Sequence, residues 1–533
     1  MTDEILINLI KTLVENASVD KVDFLKLTKR FCGDNKISIP QKSELLRVYH
    51  KLLENKEVES NKKLEQFLRK RAIRTMSGVA VISVLTKPFP CPGNCLYCPN
   101  EAGMPKSYIS NEPAVMRAIT HQFDPFNQVT ARLKALRENG HDVSKIEIIV
   151  MGGTWSYFDK KYQNWYIKRC FEALNGHEAK TLAEAQKENE TTKHRCIGLT
   201  LETRPDYIDE AEIKQMRKLG CTRVELGIQH INDKVLKLNR RGHGVKKSIE
   251  AIELLRRAGF KLNLHMMTSL YGSSPKMDLE MFKTLYTHPN WLPDMIKIYP
   301  CVVIGNTDLY KAWKQKKYKP YTKAQLLNLL IKIKKITPTY VRIARLIRDI
   351  PETSIIAGNK KTNLREMIQN IAKRDGWSCQ CIRCREAGHQ PADSEESQLH
   401  VLKMKALGGT EYFLSYNSPN NKVLYAFLRL RINDSGVKQF IPELRGAGLV
   451  RELHTYGQVA PIGEFGDVQH RGFGTKLMAE AEKICADQGV KKLAVIAGVG
   501  VREYYKMLGY ELKGTYMLRQ LKFLPTISSK KLR

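Results

Sequence analysis

The run Cys91-Pro92-Gly93-Asn94-Cys95-Leu96-Tyr97-Cys98 places three thiols on one short segment, at x3 and x2 spacing. Three thiolates so arranged can each take one iron of a 4Fe–4S cluster and leave the fourth iron open to a substrate. A tetrahedral zinc would need a fourth ligand, and no further His or Cys lies close on either side. Cys379, Cys381 and Cys384 form a second set, compact enough for one zinc ion. His389 is the nearest fourth ligand, with His400 and Cys301 as alternatives. A second iron–sulfur cluster and three unligated thiols are the rival readings. Cys32, Cys170, Cys196, Cys221 and Cys485 lie in apolar or helical contexts and read as packing residues.

A third motif is Gln469-His470-Arg471-Gly472-Phe473-Gly474-Thr475, followed by Leu477, Met478, Ala481 and Ile484 at helical spacing. Glycines let the backbone approach a pyrophosphate, and the free amides of a helix start supply hydrogen bonds and positive potential. A strand over Leu449–His454 precedes the motif, and another over Leu493–Ala497 follows it. The stretch from Gly500 to Tyr510 then carries Tyr504 and Tyr505. A glycine-rich turn beside core tyrosines is the plain alternative.

These groups need elements to hold them. From about 78 to 300, β-branched runs at Val79–Leu85, Ile146–Met151, Cys196–Leu201, Arg223–Ile228, Lys261–Met266 and Met295–Tyr299 alternate with helical segments. That alternation predicts a parallel sheet with crossover helices, whose functional loops follow the strands. Cys91, Gly152-Gly153-Thr154, Glu202-Thr203-Arg204, Gln229 and His265 fall there. Apolar alternation from about 411 to 460 predicts an antiparallel second domain. The expected division is a basic helical region 1–75, the strand–helix domain 76–360, a zinc-binding linker 361–405 and a C-terminal domain 406–533.

Lys and Arg number 88 against 55 Asp and Glu, a net charge of +33 with a pI near 9.6. Such a field attracts polyanions, so nucleic acid is the first partner to expect. Two segments carry that expectation. One is the end of the helical region, with Arg69, Lys70, Arg71 and Arg74. The other is 311–348, with twelve basic and no acidic residues and interleaved aromatics. In the latter, Lys316 and Lys317 would meet phosphates while Tyr318 stacks on an unpaired base. The acidic start and the lack of any apolar run of ~18 residues point to a soluble cytoplasmic protein with no membrane partner. In that reducing compartment, cysteine clusters indicate metal ligation over disulfides.

Together with Ser107-Tyr108 and Glu112-Pro113, the Cys91–Cys98 run resembles the radical-SAM domain of the Elongator catalytic-subunit family, and the likeness extends from about Arg74 to Lys522. The resemblance implies an α/β partial (β/α) barrel, with S-adenosylmethionine on the open iron. Gly152, Gly153 and Thr154 would hold its methionyl amino group, and Gln229 and His265 would face the ribose and adenine. The third motif, with Tyr504 and Tyr505, resembles the GNAT family. That implies an α+β acetyl-CoA domain in which Gln469–Thr475 hold the cofactor and the tyrosines lie near the thioester. The implied reaction is wobble-uridine carboxymethylation on tRNA. A 5′-deoxyadenosyl radical takes hydrogen from the acetyl methyl, and the carbon radical adds to uridine C5. Re-oxidation and thioester hydrolysis complete it. An electron donor is then required, and accessory subunits are not. Two other classes compete with it: a protein lysine acetyltransferase with a structural cluster, and a tRNA-binding scaffold without turnover. A basic surface repels lysine-rich tails, and an intact cysteine and glycine constellation argues against a scaffold.

Overall fold

The computed structural model describes residues 3–16, 21–69, 77–387, 394–456 and 472–521. Four helices (Asp3–Glu15, Lys21–Asp34, Lys42–Glu54 and Lys62–Leu68) open the chain and close on their own core of Leu9, Ile10, Phe24, Leu46 and Tyr49. Asn61 caps the last of them, accepting from the N–H groups of Lys63 and Leu64 at 3.0 and 3.1 Å.

A seven-stranded sheet follows, built from β1 (Ala80–Leu85), β2 (Lys145–Met151), β3 (Arg195–Thr203), β4 (Arg223–Gln229), β5 (Lys261–Thr268) and β6 (Met295–Pro300). After a short β7 (Val303–Ile304), β8 (Arg342–Arg345) completes it. The order is β1-β2-β3-β4-β5-β6-β8, every pairing parallel, with helices crossing between successive strands. Successive side chains on a strand point to opposite faces. Ile82, Ile148, Val224, Leu262 and Ile296 enter the core beneath the helices. Ser83, Glu147, Glu225, Asn263 and Lys297 line a cavity on the other face. β8 and the helix Lys323–Ile336 lie inside the 311–348 segment read as RNA-binding. Leu326, Leu330, Ile333 and Ile343 are core there, so only part of its charge is surface. β7 pairs antiparallel with β9 (Ile355–Ala357).

The second sheet comprises β10 (Gln398–Ala406), β11 (Gly409–Asn417), β12 (Leu424–Asn433), β13 (Ala447–Thr455), β14 (Lys492–Val495), β15 (Glu511–Lys513) and β16 (Tyr516–Gln520). Their order is β10-β11-β12-β13-β14-β16-β15. It starts at Gln398, inside the stretch expected as linker. All its pairings are antiparallel except β13 with β14. That parallel pairing stops at Val450 and Val495, while β13 runs on to Thr455 against β12 alone. The two strands therefore part, and the helix Phe473–Asp487 packs on β12 and β13 beside the opening.

The two sheets share one continuous core. Gly500 packs directly on the start of β3: a Cβ there would stand 2.6 Å from the Arg195 Cβ. Arg502 and Lys506 pair with Glu190 at 3.1 and 3.0 Å. Arg451 makes a fork to Asp294 at 2.8 and 2.9 Å. Charges so deeply buried persist only when paired.

Candidate functional site

The cysteine loop follows β1 and sits against the loops that follow β2 and β3. The Cys91 thiol lies 3.6 Å from the Thr154 hydroxyl and receives the Gly93 N–H at 3.5 Å. Gly152 and Gly153 hold φ of 131° and 96°, where L side chains are strained. A Cβ on Gly152 would also overlap the Thr86 side chain. Gly93 is required for a different reason, since any Cβ there would meet the Arg204 guanidinium. That guanidinium is fixed by a fork to Asp206 at 2.9 and 2.7 Å. Arg241 Nη1 lies 3.6 Å from the Cys95 sulfur. Burial, and then Cys95 beside it, push the Cys98 thiol up to about 11. Burial and Arg241 push the nearby His243 imidazole down to about 4.

Two observations bear on what this loop holds. Among the described residues, only Cys379, Cys381 and Cys384 bring three ligand atoms within 4.8 Å of one another. Cys91, Cys95 and Cys98 do not form such a single-ion group; on a 4Fe–4S cluster each thiolate takes a different iron. Around them Arg204 Nη1, Gln229 Oε1, Arg241 Nε and His243 Nε2 are buried without a hydrogen-bond partner. Such groups are costly to leave unmet, by about 1–3 kcal/mol each, and so mark a place for a polar ligand. Gln229 has φ of 74° at a break in the β4–β5 register, which turns its side chain out of the ladder.

The His265 Nε2 hydrogen-bonds with Glu225 at 2.8 Å and its Nδ1 stands 3.5 Å from Glu202, so the ring is held among carboxylates on the lumen side of the sheet. Glu202 in turn accepts from the Tyr108 hydroxyl at 3.1 Å, and Glu225 from Asn263 at 3.0 Å and from Lys297. Burial works to raise the Glu225 carboxyl, but Lys297, His265 and Arg223 outweigh it and hold the group well below the usual range. Sequence offered Arg204 by its place just after a strand, but not Glu225, Arg241 or Lys297. Glu225 and Lys297 lie unmarked within predicted strands, and nothing local points to Arg241.

Glu225 and Lys297 face a cavity of about 1000 Å³ that reaches Gly472, Gly474, Thr475, Tyr504 and Tyr505 across the domain boundary. Gly472 has φ of 80° and caps the helix start. A Cβ on Gly474 would stand 2.7 Å from the Tyr504 hydroxyl, so the glycine permits that approach. Phe473 is buried, stacked on Tyr425 with ring centres 6.2 Å apart. Its side chain is thus a packing anchor that holds the start of the helix in place. Tyr505 is buried behind Tyr504, ring centres 5.2 Å apart. Gln469, His470 and Arg471 lie outside the described residues.

Cys379, Cys381 and Cys384 lie at the domain junction, with the Lys334 ammonium 3.6 Å from the Cys384 sulfur. His389 lies outside the described residues. Cys301 packs in a separate core with Tyr318 and is no ligand here. Tyr318 corrects the RNA reading: it is 6% exposed and its hydroxyl donates to the Ser269 carbonyl at 2.6 Å, so its ring cannot stack on a base. Lys316 and Lys317 remain exposed. Arg69 donates through Nε to the Gly140 carbonyl at 2.9 Å, tying the helical unit to the barrel. Lys70, Arg71 and Arg74 lie outside the described residues. No helix among the described residues is long and apolar enough to cross a membrane.

Comparison with known proteins agrees with this geometry. Residues 90–285 match the model of the radical SAM superfamily, and residues 293–374 that of the radical SAM C-terminal domain. A tRNA uridine(34) acetyltransferase of Methanocaldococcus infernus is 45% identical over 506 residues, covering 90% of this chain and 94% of the relative. The Elongator complex protein 3 of Homo sapiens is 40% identical over 474 residues, covering 85% and 86%. The solved structure of the archaeal Methanocaldococcus infernus Elp3 lacking its N-terminus superposes with a TM-score of 0.75 at 44% identity, covering 84% of this chain and all of that one. The chain belongs to the family of tRNA uridine(34) acetyltransferases and Elongator complex protein 3.

Proposed function

We propose that this protein is a radical-SAM acyltransferase that carboxymethylates the wobble uridine of tRNA, using acetyl-CoA. The cavity of about 1000 Å³, lined by barrel residues and by the Gly472–Thr475 turn with Tyr504, carries the reading. A carbon taken from a thioester on one domain can meet a base presented to the other only through a common space. The radical SAM match and the homologous tRNA-modifying enzymes support it.

Cys91, Cys95 and Cys98 would hold a 4Fe–4S cluster. The Gly152–Thr154 loop, Gln229, Arg204 and Arg241 would surround S-adenosylmethionine, which would offer partners to the unmet polar atoms of these three side chains. When bound, the pair supplies a 5′-deoxyadenosyl radical, and acetyl-CoA supplies the methyl carbon. Gly472 leaves open space where backbone amides at the helix start could meet the pyrophosphate, and Gly474 lets the Tyr504 hydroxyl close over that turn. In the lumen Glu225 is kept anionic by Lys297 and His265, so this cluster orients polar groups without demanding a proton. Cys379, Cys381 and Cys384 would bind zinc: three thiolates around one divalent ion leave a negative charge that Lys334 offsets.

The lysine acetyltransferase reading is disfavoured by the same cavity, since a protein tail would have to enter a space walled by β4, β5 and β6. The deciding experiment supplies reductant, S-adenosylmethionine, acetyl-CoA and unmodified tRNA under anaerobic conditions. Mass spectrometry should find 5′-deoxyadenosine and a carboxymethylated uridine, both abolished by Cys95→Ala. Acetylated protein with unmodified tRNA would favour the alternative.

A further inference from the structure

A ladder of aromatic rings runs along the rim of the barrel beside the cysteine loop. Phe89, held between Pro88 and Pro90 two residues before Cys91, stacks on Phe158 at 4.4 Å and meets Tyr157 at 5.9 Å. Tyr157 meets Tyr207 edge-on at 5.7 Å. The ladder continues from Phe158 to Tyr162 at 4.7 Å and on to Trp165 at 5.6 Å. Phe158 is buried, as a packing ladder requires. Tyr157 and Trp165 are 41% and 42% exposed.

Three loops contribute, those after β1, β2 and β3, and each is anchored to the site. Tyr207 follows Asp206, whose partner Arg204 packs on Gly93 of the cysteine loop. Tyr157 follows the Gly152–Thr154 turn. The rings are thus held in place by the same contacts that build the cluster loop, yet their outer members are left to water. Burying a tyrosine ring is favourable and leaving one open returns nothing to the fold. Lys87 covers the Tyr162 ring at 4.6 Å, and Lys161 is exposed on the same helix.

We propose that Phe89, Tyr157 and Tyr207 form a stacking platform for an unpaired base flanking the nucleotide presented at the barrel mouth. This deepens the reading of an RNA substrate given above and rests on it. Every base has a π-face, so stacking on aromatic side chains is tolerant of sequence, and it suits loop nucleotides that are already unpaired. The net charge of +33 draws phosphates to the surface. Of the aromatics in the 311–348 segment, Tyr318 and Tyr340 are buried, while Trp313 and Tyr321 are half-buried. The rim adds the exposed Tyr157 ring, flanked by the half-buried Phe89 and Tyr207.

The test uses a stem-loop RNA carrying 2-aminopurine beside the target uridine. Binding to the wild-type protein should quench its fluorescence by stacking. The Tyr157→Ala/Tyr207→Ala double variant should lose the quench and bind about tenfold or more weakly. The Tyr157→Phe/Tyr207→Phe variant should keep both, because the ring and not the hydroxyl does the stacking. Iron–sulfur absorbance checks that each variant is folded. Undiminished quench and affinity in the alanine variant would overturn the platform while leaving the RNA substrate standing. Unchanged RNA binding together with slower reduction by a flavodoxin-type donor would overturn it in favour of a protein-docking rim. Failure of the wild-type protein to bind the RNA at all would overturn the substrate reading and the platform with it.

Discussion

Replacing Asp294 by asparagine tests whether the two domains act as one body. Asp294 accepts from Arg451 at 2.8 and 2.9 Å and from the Leu262 N–H at 2.8 Å, and is ion-paired with Arg429 at 3.5 Å. The Arg451 side chain is fully buried and that of Asp294 nearly so. Asn keeps the volume and removes the charge, leaving two guanidiniums inside the interface. Removing one partner of a buried pair costs about 3–5 kcal/mol. Glu411 at 3.6 Å from Arg451 and Glu452 at 2.9 Å from Arg429 offset part of it. The lower end is therefore expected, about 3 kcal/mol, which raises the open population of the interface about a hundredfold. Hydrogen exchange reads this directly. Amides of β5, β13 and β14 should exchange about a hundredfold faster. The helices Asp3–Glu15 and Lys42–Glu54 should be unaffected, because their core is separate. An increase of less than about tenfold at β13, where 1.4 kcal/mol is a factor of ten, would refute the claim that this pair locks the domains.

Other outcomes follow from the same geometry. The protein should bind one zinc per chain, measurable by a chromogenic chelator after thiol release, and Cys381→Ala should lose it while the iron–sulfur absorbance persists. Acid should loosen the domain junction. Burial works to raise Glu190 and Glu452, yet Lys187, Lys506 and Arg502 hold the first, and Lys261 and Arg429 the second, down to about 2, against an ordinary 4.5. A lowered carboxyl stabilises above its unfolded value, so that stability is present above pH 4.5 and is lost as the pH falls toward 2. A urea midpoint that stays level across that window would count against it. Tyr318→Phe should cost about 1 kcal/mol of stability through its lost hydrogen bond and leave RNA affinity unchanged; weaker RNA binding would restore the stacking role. Tyr504→Phe should alter acetyl-CoA handling while 5′-deoxyadenosine formation continues, and an equal loss of both would contradict separate roles.

Much of this protein was readable from local pattern. Strands that bury one face read as β-branched runs, and six of the seven parallel strands were found that way. The seventh, β8, hid in Arg342–Arg345, because charge on a short lumen-facing strand resembles charge on a surface. Cysteine spacing carried the two candidate metal sites, since ligation needs nothing beyond the reach of one loop. The glycine turns were legible for a like reason: a positive φ at Gly152, Gly153 or Gly472 is a property of a few adjacent residues.

Only the tertiary structure decided the rest. Arg451 and Asp294 are 157 residues apart, and nothing local pairs them. His265 joins the Glu225 and Glu202 network because strand register sets which side chains share the lumen, and no local pattern announced those partners. Tyr318 and Tyr340 carried the composition of an RNA surface and were placed inside, while Phe89, Tyr157 and Tyr207, spread over three loops, met at the rim. Sequence specifies which groups can do chemistry, because that follows from residue type and short spacing. Which of them face one another is set by how distant strands and helices exclude water together, and this depends on the whole chain at once.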